Sequence, residues 1–128
     1  MSAETSEYPR ERPLVVLVCR VELLGEALRG ALDEIAEVRM FRAGLGDTDG
    51  LLRSLGPDAV VVDDEAEGEA ALAFATESDA ALVHVSYKDE LLRVFIDGEW
   101  RDEGQDGISP EAVRNALVGR LLGKAHRV

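Results

Sequence analysis

Apolar residues along the chain form short unbroken runs separated by helical stripes. Leu14–Cys19, Ala59–Val62 and Ala81–Ser86 are runs with little polar alternation, typical of strands buried on both faces of a parallel sheet. Between them, apolar residues recur every three or four positions, which indicates amphipathic helices. Strands alternating with helices predict an α/β domain built from right-handed βαβ units.

Four helices are predicted. The first spans about 21–35, a short second ends near Leu55, the third covers about 67–78, and the last runs from Ser109 to about residue 122. The first helix carries the clearest apolar stripe, made of Leu23, Leu24, Ala27, Leu28, Ala31, Leu32 and Ile35.

The alternation changes near the end of the chain. Residues 92–96 and 99–101 flank Asp97-Gly98, a pair that suits a type I′ turn and therefore predicts an antiparallel hairpin. Residues 38–42 are half polar, which favours a strand near the edge of the sheet.

The ends of the chain predict tails around a single domain at 14–124. Residues 1–13 are polar, contain two prolines and have no periodicity, so a flexible tail is expected, and 125–128 form a short C-terminal tail. The first residues lack the basic-then-apolar order of a signal peptide, and the longest strictly apolar run, Leu14–Cys19, is too short to span a bilayer. A cytoplasmic location is predicted.

The net negative charge of the chain limits the kinds of binding partner that are expected. The chain has 26 acidic and 14 basic residues, for a formal charge of −12, which disfavours direct binding to nucleic acid or anionic membranes. Its one cysteine excludes an internal disulfide and a multi-cysteine metal site. No metal and no cofactor are expected, and protein partners remain.

Candidate functional residues follow the buried strands. Cys19-Arg20, Asp63-Asp64 and Ser86-Tyr87 stand where three strands end. In an open parallel sheet, functional side chains gather at this carboxyl edge.

Three stretches and one further residue carry a resemblance to a known family. Residues 18–32 resemble strand 1 and helix 1 of a response-regulator receiver, and residues 57–63 are similar to the family segment whose last residue, here Asp63, accepts the phosphoryl group. Ser86 falls where receivers carry the hydroxyl that senses phosphorylation, and 108–111 resembles the opening of their last helix. Over residues 14–122, the resemblance implies a three-layer, mostly parallel open sheet in the order 2-1-3-4-5, with the hairpin replacing helix 4.

The departures from the family point to lost chemistry. Cys19 and Arg20 occupy the positions of the acidic pair that binds magnesium, and neither is a suitable ligand for a hard cation. The family lysine before the last helix has no counterpart. The resemblance therefore implies a vestigial phosphoacceptor site at Asp63, Asp64, Cys19, Arg20 and Ser86, and no enzymatic activity.

Each site residue also has a structural interpretation. Asp63-Asp64 suits the acidic start of a helix, Ser86 a strand end, and Cys19 a small buried apolar position. Trp100 and Tyr87 are possible interaction residues, although packing against the sheet also explains Trp100.

Arg20 has a more specific expectation. Because strand 1 and the Ala59–Val62 strand are neighbours in the expected order, Arg20 is predicted to contact Asp63 or Asp64.

The preferred hypothesis is a non-catalytic, receiver-like interaction or assembly module in bacterial-type signalling. A homodimer through the last helix and its flanking strands is one expected assembly, as in typical receivers. Two alternatives stay open: an atypical receiver phosphorylated on Asp63, or a small-ligand binder at the carboxyl edge. The second is weakened because no Gly-rich phosphate loop follows strand 1.

Overall fold

A six-stranded mixed sheet is the centre of the computed structural model, which describes residues 12–44, 46–86, 88–103 and 108–125. The strands are β1 (Leu14–Cys19), β2 (Glu37–Arg42), β3 (Ala59–Val62), β4 (Ala81–Ser86), β5 (Leu91–Ile96) and β6 (Glu99–Asp102). The helices are α1 (Glu22–Leu32), α2 (Thr48–Leu55), α3 (Glu65–Ser78) and α4 (Pro110–Ala125). The predicted α/β class is confirmed.

The strands lie in the order β2-β1-β3-β4-β5-β6. β1 pairs in parallel with β2 and β3, and β3 pairs in parallel with β4. β5 runs antiparallel to β4, and β6 antiparallel to β5. The strands therefore follow the predicted positions 2-1-3-4-5, but the fifth runs in the reverse direction and the sixth extends the sheet. The half-polar β2 lies at an edge, as predicted.

Helices cover both faces of the central strands, which gives three layers. β1 and β3 are buried along their whole length. Helices α1 and α4 pack together on one face, and α2 and α3 on the other. The first core contains Val15, Leu17, Leu28, Val61, Val83 and Leu117, and the second contains Val16, Val18, Leu52, Val60, Phe74 and Leu82.

Three helices begin at side chains that accept a backbone hydrogen bond. The carboxylate of Asp47 accepts from Gly50 N at 2.9 Å, and that of Asp64 accepts from Glu67 N at 3.1 Å. Ser109 Oγ accepts from Ala112 N at 3.0 Å, as predicted for the last helix. Because Asp64 caps it, α3 starts two residues earlier than the apolar pattern indicated.

The predicted stripe of α1 is too wide. Leu24, Leu28 and Leu32 are buried, but the Leu23 side chain is 82% exposed and Ala27 is also exposed. At 100° per residue, these two positions turn away from the sheet. Gly25 is buried instead, and a Cβ built there would lie 2.8 Å from Met40 Cε.

The predicted hairpin is confirmed. Asp97 and Gly98 have φ angles of 54° and 81°, the positive values that a type I′ turn requires at both central residues. Across the turn, Ile96 pairs with Glu99 and Phe95 with Trp100. Residues 88–90 form a turn that leads directly into β5, so no helix separates β4 from β5 in the described residues.

Arg120 joins the hairpin to two helices. From α4, its Nη1 lies 3.0 Å from Asp97 Oδ1 in the hairpin turn, and its Nη2 lies 3.1 Å from Asp79 Oδ1 at the end of α3. Burial lowers the pKa of Arg120, but the bonds to Asp97 and Asp79 outweigh that effect and raise the pKa above its ordinary value. The guanidinium therefore stays charged and holds the three elements together.

Arg12 and Pro13, predicted as the end of a tail, contact the domain. Arg12 donates to the backbone oxygen of Asp33, and Pro13 O accepts from Glu37 N at 2.8 Å. The rest of the predicted tails, 1–11 and 126–128, lies outside the described residues. Within the described part of the chain, no helix is both long and apolar enough to cross a membrane.

Replacing Gly98 by valine is expected to destabilise the domain by about 1–3 kcal/mol, because a β-branched residue is strained at a positive φ. The change is measured by urea unfolding. Gly30→Ala is the matched control: Gly30 is exposed in α1, a Cβ added there would have no atom within 4 Å, and alanine favours a helix by up to about 1 kcal/mol. Equal effects of the two substitutions would contradict the turn assignment.

Candidate functional site

Four of the predicted site residues, Arg20, Asp63, Asp64 and Ser86, come together at the carboxyl edge of the parallel strands. The pairing places Val18 beside Val62 and Val62 beside His84, so β1, β3 and β4 end close to one another at this edge. Beyond their ends lies an open groove of about 750 Å³. Its lining includes Arg20, Asp63, Asp64, His84, Ser86 and Lys88.

Asp63 holds the turn between β1 and α1. Its Oδ1 accepts from the backbone N–H of Arg20 at 2.7 Å, and its Oδ2 accepts from the N–H of Val21 at 3.0 Å. Val21 is the N-cap residue of α1 and makes no side-chain cap bond. A carboxylate from a neighbouring strand thus accepts amide protons next to the helix start, where a negative charge is favoured.

Asp64 has two roles at the same edge. It caps α3, and its Oδ1 lies 3.4 Å from Arg20 Nη1. The predicted contact of Arg20 with the acidic pair is therefore present: its side chain meets Asp64, and its backbone meets Asp63. The Arg20 side chain is 69% exposed, so this ion pair is a surface contact with a small contribution to stability.

Cys19 is a buried apolar residue. It belongs to the core between the sheet and α1. Burial, and then the neighbouring Asp63 carboxylate, raise the pKa of the Cys19 thiol from 9.0 to about 12. The protonated thiol therefore dominates at neutral pH, and it is neither a good nucleophile nor a good metal ligand.

Ser86 bonds within its own loop. Its Oγ donates to Asp89 Oδ2 at 3.2 Å and accepts from Asp89 N at 3.4 Å. Ser86 lines the groove, but this local turn is its hydrogen-bonded environment. Tyr87, predicted as a possible interaction residue, lies outside the described residues.

Trp100 is half-buried on the hairpin and belongs to an aromatic and cationic cluster. Its ring centroid lies 5.3 Å from that of Phe95, and Arg93 Cζ lies 4.6 Å from the ring of Trp100. Packing and cation–π contact both fix the indole on the sheet face shared with α3. This arrangement places Trp100 away from Asp63, at the far edge of the sheet.

A buried carboxylate at this end of the molecule was not predicted. Glu67 is 6% exposed, and its two oxygens accept from the Thr48 hydroxyl and from Gly44 N. It therefore fastens the loop before α2 to the first turn of α3. In the sequence, Glu67 is one of several acids at a helix start, and its partner Thr48 lies 19 positions away.

Three more groove residues were not predicted as part of the site. Lys88 and Arg93 bring positive charge to the lining, although the receiver pattern matches no lysine of this chain. His84 is half-buried beside α3, where a Cβ added at Gly68 would lie 3.8 Å from the imidazole ring. Lys88 lies at this edge because it comes just after the end of β4. Arg93 lies beside His84 because β5 runs antiparallel to β4, a direction that was not predicted.

Metal-ligating side chains do not cluster in the described part of the chain. No group of three His, Cys, Asp or Glu residues there has the arrangement of a metal site. The chain matches no model of a protein family and no curated protein. Its function is therefore inferred from the geometry.

Asp63→Ala is expected to cost about 1–2 kcal/mol of stability, because two backbone amides lose a charged acceptor. Arg20→Ala is expected to cost less than about 1 kcal/mol, since its ion pair is exposed. Urea unfolding measures both, with Asp63→Asn as the control that keeps one acceptor oxygen. Equal losses for Asp63→Ala and Arg20→Ala would show that the two backbone hydrogen bonds of Asp63 add no more stability than the exposed ion pair of Arg20.

The Cys19 thiol is expected to react with iodoacetamide at pH 8 about a hundredfold more slowly in the folded protein than in urea. Its folded pKa is raised, so the thiol's contribution to stability is complete below pH 9.0 and is lost as the pH rises toward about 12. Alkaline titration of Cys19→Ala should lack this loss. Rapid modification of the native protein would mean that the thiol is accessible and ionised.

Proposed function

We propose that this domain is a receiver-like protein-interaction or assembly module that acts without catalysis and without magnesium-dependent phosphorylation. The strand positions 2-1-3-4-5 and the three helix-covered layers support the receiver-like interpretation. Asp63 directly follows β3, which is where the resemblance of residues 57–63 to the phosphoacceptor segment requires it. We further propose a role in signalling of the bacterial type.

The bonding of Asp63 is the observation that carries this proposal. Both of its carboxylate oxygens accept backbone amides, from Arg20 and Val21. Attack on a phosphorus atom would draw electron density from an oxygen that already accepts an amide proton, and would weaken that hydrogen bond. The same two bonds hold the start of α1, so the carboxylate serves the fold in the position where a receiver carries its reactive group.

The surrounding charges support the same conclusion. Phosphoryl transfer requires charge neutralisation close to the acceptor oxygen. In the family that this chain resembles, a metal held by an acidic pair supplies it. Here Cys19 is a buried thiol with a raised pKa, and the exposed guanidinium of Arg20 is directed to Asp64. These residues offer one fixed monovalent charge, and no oxygen ligands for magnesium.

One observation favours an alternative function. Lys88 lines the same groove as Asp63, and it follows β4 rather than preceding the last helix. A lysine there would be a phosphate-binding cation supplied from a different loop. The alternative is an atypical receiver that is phosphorylated on Asp63.

A phosphorylation assay separates the two. The protein is incubated with acetyl phosphate and Mg²⁺, and its intact mass is recorded over time. The proposal expects the unmodified mass, because Asp63 is engaged and the magnesium ligands are missing. Stoichiometric addition of one phosphoryl group that is lost in Asp63→Asn and kept in Asp64→Asn would establish the alternative and overturn the proposal.

A further inference from the structure

The outer edge of β6 presents backbone groups that no described strand uses. β6 is the last strand of the sheet order, and β5 is its one partner among the described strands. Glu103 N donates to Leu92 O at 2.8 Å, so Leu92 and Glu103 form a hydrogen-bonded pair of the β5–β6 ladder. Hydrogen-bonded and non-hydrogen-bonded pairs alternate in an antiparallel ladder, so Phe95–Trp100, three pairs further along, is non-hydrogen-bonded. The N–H and C=O of Trp100 therefore point away from β5.

The side chains of β6 carry two charges of opposite sign on one face. Glu99 and Arg101 alternate with Trp100, and both are exposed. Neither of these two side chains forms an ion pair or hydrogen bond with another described residue. At the other edge of the sheet, by contrast, Glu37 and Arg39 already pair with each other at 3.5 Å.

This pattern is complementary to itself. When two β6 strands pair antiparallel about a two-fold axis at Trp100, each Glu99 stands opposite Arg101 of the other copy. Trp100 stands opposite Trp100 of the other copy, and their outward N–H and C=O groups form the hydrogen-bonded pair. A two-fold axis at Arg101 instead would place Arg101 opposite Arg101 of the other copy and Glu99 opposite Glu103. The charges therefore favour the axis at Trp100 over the axis at Arg101.

We propose that β6 pairs with β6 of a second copy in this register, which joins the two sheets into one with six strands from each copy. The inference rests on the proposed function and names its partner as a second molecule of this chain. Charged residues on a short edge strand usually oppose pairing, but here Glu99 and Arg101 favour one register of the pair. Arg93 and Phe95 hold the Trp100 ring in place before association, which reduces the entropy cost of binding.

The size of the interface sets its strength. A pair of four-residue strands buries little surface, so this dimer belongs with weak interfaces of less than about 1,200 Å². Association is therefore expected only at micromolar or higher protein concentrations.

Charge reversal tests the register directly. Sedimentation velocity over a concentration series compares the wild type with Glu99→Arg, with Arg101→Glu and with the double variant. Each single variant places like charges opposite each other twice and is expected to dimerise at least tenfold more weakly. The double variant, and an equimolar mixture of the two single variants, restore opposite charges and are expected to associate as the wild type does. Both positions are exposed, and circular dichroism checks that the variants fold.

The single tryptophan gives a second measurement. Trp100 fluorescence is expected to shift to shorter wavelength, and the Trp100 amide to gain protection from hydrogen exchange, as the wild type is concentrated. A wild type that stays monomeric at millimolar concentration would overturn the proposal, and so would a dimer that both single variants leave intact. If the protein stays monomeric and is not phosphorylated, only the β6 dimer is wrong. If Asp63 becomes phosphorylated, the proposed function is wrong.

Discussion

The complete burial of β1 and β3 is the constraint from which the arrangement of the molecule follows. A strand buried on both faces can satisfy its backbone only within a ladder, and its side chains need a helical layer above and below the sheet. Parallel pairing meets both needs, because each crossover returns through a helix on one face. The same topology ends these strands at one edge, where the polar residues that cannot enter the core collect. This is why Asp63 meets Arg20. It also explains why Asp63 meets Val21, from which 42 positions of the chain separate it.

At that edge, hydrogen bonds and an ion pair within the chain hold the acidic side chains. The Asp63 carboxylate accepts hydrogen bonds from two amides, Asp64 accepts from an amide and contacts a guanidinium, and Glu67 accepts from a hydroxyl and an amide. Each of these partners belongs to the chain itself, so each of the three acids also holds a segment of backbone in place. The cost is a loss of adaptability, since an acid that holds a loop cannot change its partner without releasing that loop.

Much of the fold could be predicted because its signals are local. The β-branched runs indicated the strands, Asp97-Gly98 indicated the turn through its positive φ angles, and Ser109 indicated a helix start. Arg20 could be placed near Asp64 because strand adjacency follows from topology. Contacts set by three-dimensional packing could not be predicted: Leu23 lies on a stripe wider than the sheet can cover, and Glu67 has its partner in another loop. The direction of β5 was not predicted either, because the sequence pattern of a hairpin does not indicate whether its first strand runs parallel or antiparallel to the strand before it, here β4.

The reversal at β5 has a consequence for how the chain folds. The pairings β4–β5 and β5–β6 join strands separated by turns of a few residues, whereas β1 meets β3 only after a long segment has closed. Loop closure costs entropy before long-range contacts compensate for it, so the meander of β4, β5 and β6 can form early while the parallel ladder forms late. Arg120, near the end of the chain, then fastens the meander to the finished domain through Asp97. The meander of β4, β5 and β6 thus provides an early-formed unit on which the slower parallel part of the sheet can assemble.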